Sequence, residues 1–195
     1  MASSKPLRAD ARRNRDALIA QAREIFATGD DDVRFDDFAA LAGVGTGTLY
    51  RHFPTREALA AAVYQEEVAT LCDLARRLQA TLTSGQALNA FLRSMLDHIA
   101  AHQRLARRLA ALLAASPDDM ARSSQDLEQA VAELVAAAVQ DGAIRDDVPA
   151  GAVMMALHGI GAAHDRPNWR AEADGVITLV LDGLRPCSDS GRQAL

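Results

Sequence analysis

Apolar residues in this chain recur every three or four positions, and no stretch shows the strict alternation of a half-buried strand. Leu18, Ile19, Ala22, Ile25 and Phe26 mark one face of a helix over about 9–28, with Gly29 as its stop and the acidic turn Asp30, Asp31, Asp32 after it. A short helix is predicted over about 35–42, ending at Gly43, and another over about 46–52. Pro54 breaks the chain, and Thr55 is placed to cap the next helix, with Glu57 favourable in its first turn.

Longer elements follow. One helix is expected over about 56–82, ended by Thr83, Ser84 and Gly85. Leu88, Phe91, Leu92, Met95, Leu96 and Ile99 form a regular stripe, and a helix over about 104–115 stops before Ser116 and Pro117. Leu127, Val131, Leu134, Val135, Ala138 and Val139 mark a further stripe, ended by Gly142. The last two helices are expected at about 149–164 and 169–184. The expectation is an all-α fold of about nine helices: a three-helix module at 9–55, a larger helical domain at 56–186, and flexible tails at 1–8 and 187–195.

Composition strengthens this reading. Of 195 residues, 49% are hydrophobic and only 4% aromatic, with alanine and leucine dominant, residues that lose little side-chain freedom in a helix. The two cysteines, Cys72 and Cys187, have neither a pairing pattern nor metal-ligand spacing, and Cys72 reads as a small buried hydrophobe. The first residues have no apolar stretch of a secretory signal, and no apolar run is long enough to cross a bilayer, so a cytoplasmic protein without membrane contact is expected.

The net charge of −5 at first argues against a nucleic-acid partner, but its distribution matters more. Up to Arg56 there are nine basic and eight acidic residues, a net +1, so the remainder holds −6. The N-terminal arm sets Lys5, Arg8, Arg12, Arg13 and Arg15 against only Asp10 and Asp16, a surface suited to phosphates.

The informative segment runs from Phe38 to Phe53. Two helices joined by so tight a turn need small residues where their backbones approach: Ala39 fits in the first, and Gly43 permits the turn. Val44 and Leu49 supply apolar contacts that fix the interhelical angle, with Phe38 and Phe53 filling the core beneath. Thr46, Gly47, Thr48, Tyr50, Arg51 and His52 remain outward, hydrogen-bonding groups that suit the edges of a major groove. For His52, covering the helix junction is as good an account as touching DNA.

The run from Ala39 through Leu59, with Gly43-Val44-Gly45-Thr46-Gly47-Thr48-Leu49-Tyr50-Arg51-His52-Phe53 at its centre, resembles the helix-turn-helix of the TetR family of transcriptional regulators and the start of its fourth helix. The match spans about 12–63; the stretch from Leu179 to Pro186 is similar, more weakly, to the last helix of one subgroup. The resemblance implies that Tyr50 hydrogen-bonds a backbone phosphate and that Arg56, where many relatives carry lysine, contacts another. It places Thr46, Gly47, Thr48 and Arg51 near base edges. Arg34 stands where relatives have a capping threonine and Gly45 where they have serine, while Asp36 and Asp37 favour the second helix's N-terminus through its dipole. Arg34, Gly45, Thr46, Gly47, Thr48, Tyr50, Arg51, His52 and Arg56 therefore make up the expected DNA-contact set.

Elsewhere the candidates are less specific. Gly43, Gly45 and Gly47 are not a nucleotide loop, since no strand precedes them and no lysine-serine pair follows. His98 and His102 lie four apart, but no nearby third ligand is evident, so no metal and no cofactor is expected. The methionines Met95, Met120, Met154 and Met155 read first as core filler. The middle helices are long and apolar with a few polar groups, which predicts a cavity lined by Phe91, Met95, His98, Leu109, Leu113, Leu134 and His158. Ala152, Ala156, Gly159 and Ala163 form a small-residue ridge, and Val176, Leu179, Val180 and Leu184 spread around the last helix. Together these predict a homodimer through a four-helix bundle.

The resemblance implies a repressor dimer on a palindromic operator, released when a small-molecule effector shifts the recognition helices through the fourth helix. A ligand-independent regulator and a corepressor-dependent one are the rivals. A helical enzyme is not expected, because no nucleophile, base and orienting acid stand together.

Overall fold

The computed structural model describes residues 5–29, 32–114, 117–164 and 166–186. The tail expected at 187–195, with Cys187, lies outside them, as do residues 1–4, Asp30, Asp31 and the side chain of Met120. The described residues form nine α-helices and no strand. These are α1 (Lys5–Thr28), α2 (Asp37–Leu41), α3 (Thr46–His52), α4 (Arg56–Thr81), α5 (Ser84–Ala101), α6 (Gln103–Leu113), α7 (Pro117–Gln140), α8 (Ala150–Ala162) and α9 (Trp169–Gly183).

Boundaries follow local chemistry. Thr55 caps α4 as its sequence position predicts, its Oγ1 accepting the Ala58 N–H at 3.1 Å. Residues 5–8, expected in a flexible tail, belong to the first turns of α1. The largest extension is in α7, which begins at Pro117, ten residues before the apolar stripe at Leu127. Proline suits a first helical position, where its missing N–H would have no partner anyway.

The chain divides into two units: Met1–Glu67 with His102–Ser123, and Val68–Ala101 with Ser124–Leu195. The first unit contains the whole of the expected 9–55 module, and adds the first half of α4 and all of α6. Its core is Leu18, Ile19, Ala22 and Phe26 of α1, Phe38 of α2, Leu49 of α3, Leu59 and Val63 of α4, and Leu105, Leu109 and Leu113 of α6. Leu105, Leu109 and Leu113 recur at four-residue spacing and lie on one face of α6, the face buried in this core. Across α1 and α4, Arg23 Nε pairs with Glu67 Oε1 at 2.7 Å.

The second unit packs Phe91, Leu92, Met95 and Leu96 of α5 with Val131, Leu134 and Ala138 of α7, Val153 and Leu157 of α8, and Trp169 and Ile177 of α9. The Trp169 indole N–H donates to the Ile160 carbonyl at 2.6 Å, which satisfies the polar end of a buried ring. Arg170 reaches Asp97 of α5 at 2.5 Å and Asp174 of α9 at 2.6 Å.

Candidate nucleic-acid interface

Helix α3 is seven residues long and two-sided. Leu49 is fully buried and Phe53, just past its end, nearly so. Thr46, Gly47, Tyr50 and Arg51 are exposed, with Thr48 and His52 half-buried. The i, i+4 spacing of Thr46 with Tyr50 and of Gly47 with Arg51 puts these pairs side by side on the outer surface. His52 lies against the Phe53 ring, centroids 6.2 Å apart, covering the helix end.

The turn before α3 is set by two glycines in different ways. Gly43 has φ +69°, a backbone conformation that a side chain disfavours. Gly45 is the N-cap of α3 with φ −73° and ψ 144°, which any residue adopts. Its carbonyl accepts from the Thr48 and Leu49 N–H groups at 2.8 and 3.2 Å, but it has no side chain to cap with.

The start of α2 departs from expectation. The two aspartates were expected to act through the helix dipole, yet they do different things. Asp37 Oδ2 accepts the Arg34 backbone N–H at 3.1 Å, tying the first residue of α2 to the segment before it. Asp36 makes no side-chain capping bond. Its Oδ1 instead accepts the Tyr50 hydroxyl at 2.7 Å. That bond, ahead of desolvation, raises the Tyr50 phenol above its ordinary pKa. The Tyr50 ring is also held edge-on by Phe35, centroids 5.5 Å apart. Asp36, expected only as a dipole partner of the second helix, and Phe35 thus join the site through Tyr50.

Arg56 is placed differently from what the resemblance implies. It opens α4, but its guanidinium turns inward, with Cζ 5.2 Å from the Phe38 ring centre and 5.7 Å from that of Phe26. Nη1 donates to the Val33 carbonyl at 2.9 Å, while Nε and Nη2 are buried without an acceptor among the described residues. The aromatic pocket beneath the motif draws this side chain in. Arg34 remains exposed on the α2 side.

The residues expected to line one cavity are divided between two cores. Phe91, Met95 and Leu134 are buried in that of the second unit, whereas Leu109 and Leu113 belong to that of the first. His98 is half-buried and His158 exposed. His158 edges an open groove of about 600 Å³ between α7 and α8, with Gln125, Glu128, Gln129, Met154 and Met155.

The expected dimer residues also separate. Ala152, Gly159, Val176 and Leu179 are exposed, and Ala156, Ala163 and Val180 half-buried. Leu179 at 72% and Met155 at 75% exposure are large apolar side chains facing outward. Leu184, only 3% exposed, is spent on its own unit's core and is not open to a partner.

Comparison with known proteins fits this arrangement. Residues 18–63 match the family described as bacterial regulatory proteins of the tetR family, and residues 83–186 the C-terminal domain of SbtR-like transcriptional regulators. A TetR transcriptional regulator from Streptomyces coelicolor is 41% identical with a TM-score of 0.70, over 89% of this chain and 99% of its own. One from Mycobacterium vanbaalenii is 35% identical with a TM-score of 0.68, over 93% of this chain and 100% of its own. The regulator FadR from Bacillus subtilis, solved with stearoyl-CoA, shares the fold at 16% identity and a TM-score of 0.66, over 87% of this chain and 98% of its own. An HTH-type transcriptional regulator from Staphylococcus aureus is 33% identical over 63 residues, 31% of this chain, which spans only a third of that relative. Among the described residues no helix is long and apolar enough to cross a membrane. With its N-terminal helix-turn-helix, its all-α fold and these relatives, the chain belongs to the TetR family of DNA-binding transcriptional regulators and is not an enzyme.

Proposed function

We propose that the chain is a homodimeric repressor that holds a palindromic operator and is released from it by a small molecule. The observation that carries this reading is α3: Thr46, Gly47, Tyr50 and Arg51 face outward together while Leu49 and Phe53 anchor the helix from behind. Donors and acceptors on a rigidly seated helix suit base edges and phosphates of a major groove. Arg51 reads a guanine or a phosphate, Thr46, Gly47 and Thr48 approach base edges, and Tyr50 donates its hydroxyl to a phosphate. Arg34, Gly45 and His52 border this contact.

Seven residues of recognition helix address only one half-site, so a two-fold partner is needed for a palindrome. The outward Met155, Val176 and Leu179, beside the small residues Ala152 and Gly159, supply an apolar surface on α8 and α9 for it. Release requires an effector that binds the free and DNA-bound arrangements with different affinity.

A second reading, DNA binding that needs no effector, is favoured by one observation. Five of the seven expected lining residues are packed into the two hydrophobic cores.

Fluorescence anisotropy of a labelled duplex, titrated with protein and then with a panel of amphipathic small molecules, tests the proposal. Release by at least one compound class is expected. Tighter binding with a compound points to a corepressor, and indifference to every class favours the effector-free reading.

A further inference from the structure

The Tyr50 hydroxyl carries one proton, and in this structure that proton is already given to a carboxylate. Tyr50 Oη donates to Asp36 Oδ1 at 2.7 Å, and the Phe35 ring packs edge-on against the phenol ring. A carboxylate and a phosphodiester oxygen are both acceptors without a hydrogen to return. One phenol therefore cannot donate to both at once. Tyr50 is 47% exposed and Asp36 is exposed beside it, so a phosphate approaching the hydroxyl also approaches a negative charge.

We infer that Asp36 is an affinity-setting residue of the DNA face, an intramolecular competitor that occupies the Tyr50 hydroxyl until a phosphate displaces it. The inference rests on the reading of Tyr50 as a phosphate contact. The two aspartates at this helix start divide the work. Asp37 secures the backbone through the Arg34 N–H, while Asp36, the N-cap residue of α2, makes no side-chain capping bond. Loss of the Asp36 carboxylate thus removes the competitor and breaks no side-chain capping bond. The consequence is a regulator whose grip on DNA is weaker than its contact surface allows.

The test is a double-mutant cycle with Asp36→Ala, Tyr50→Phe and the combined variant. The probe is a labelled duplex of roughly 30 base pairs, selected by the parent protein from a random pool and measured at about 50 mM salt. Asp36→Ala is expected to tighten binding roughly fivefold while Tyr50 is present, the effect of freeing one hydrogen-bond donor, and clearly less in the Tyr50→Phe background. Asp36→Asn, which lacks the charge but keeps an acceptor, should fall between parent and Asp36→Ala.

Equal tightening by Asp36→Ala in both backgrounds means that Asp36 acts by charge alone and overturns the inference. So does unchanged or weaker binding by Asp36→Ala. A Tyr50→Phe change that costs nothing even without Asp36 removes the phosphate contact itself. A parent that binds no duplex overturns the reading of the face, and the competition with it; these last failures are distinguishable from a failure of Asp36 alone.

Discussion

The guanidinium of Arg56 lies over the ring of Phe38, Cζ 5.2 Å from its centre, and the same group donates to the Val33 carbonyl. One side chain from the start of α4 thereby ties together an α2 aromatic and the segment that leads into α2. Its role is to set the shape of the DNA-binding unit, and its charge is turned away from solvent.

Arg56→Ala should therefore destabilise the protein by about 2–3 kcal/mol, from a lost cation–π contact, a lost hydrogen bond and exposed aromatic surface. Arg56→Met, which refills the space and removes two buried donors, should cost roughly 1 kcal/mol or less. Chemical denaturation measures both. Neither change should alter the slope of log affinity against log salt, because no phosphate contact is lost.

Arg51 is the contrasting case. It is exposed on the last turn of α3. Arg51→Ala should leave stability within about 0.5 kcal/mol of the parent. DNA binding should weaken, and the salt slope fall by about one if Arg51 meets a phosphate. A slope that stays put, together with relaxed preference at one base pair, would instead make it a base reader.

The two turn glycines should respond in opposite directions. Gly43→Ala forces a side chain into φ +69°, and although its Cβ would meet nothing within 4 Å, the backbone strain alone should cost about 1–2 kcal/mol. Gly45→Ser keeps an extended backbone, also in open space, and supplies the absent cap, for a gain of roughly a few tenths of a kcal/mol. Thermal melts of the pair against the parent decide the point.

On α9, Leu179 and Leu184 separate association from folding. Leu179→Glu, at an outward position, should yield a folded monomer with much weaker operator binding. Leu184→Glu buries a charge in the core and should unfold its unit. Light scattering and circular dichroism distinguish these outcomes; a Leu179→Glu protein that still dimerises moves the interface elsewhere.

Much of this was legible in the residues. Apolar periodicity, with glycine and proline punctuation, located the nine helices of the described residues, and Gly43, Leu49 and Phe53 take their expected places because tight turns and small cores leave few alternatives. What periodicity hides is which core an apolar stripe enters. Leu109 and Phe91 look alike in sequence, yet they lie in different units. Charged side chains were harder still. Arg56 looks solvent-facing at a helix start, but only the folded positions of Phe26 and Phe38 show a pocket that draws it in. The Asp36–Tyr50 bond joins residues fourteen apart across two helices, beyond any local pattern.

As proposed above, two copies of α3 read a two-fold DNA site. Selection of bound duplexes from a random pool, followed by sequencing, tests it most directly. The expected result is an enriched palindrome whose half-sites are about one helical turn, or a multiple of it, apart. Enrichment of a single unpaired half-site, or binding that is only weak and salt-sensitive with no sequence preference, would contradict it.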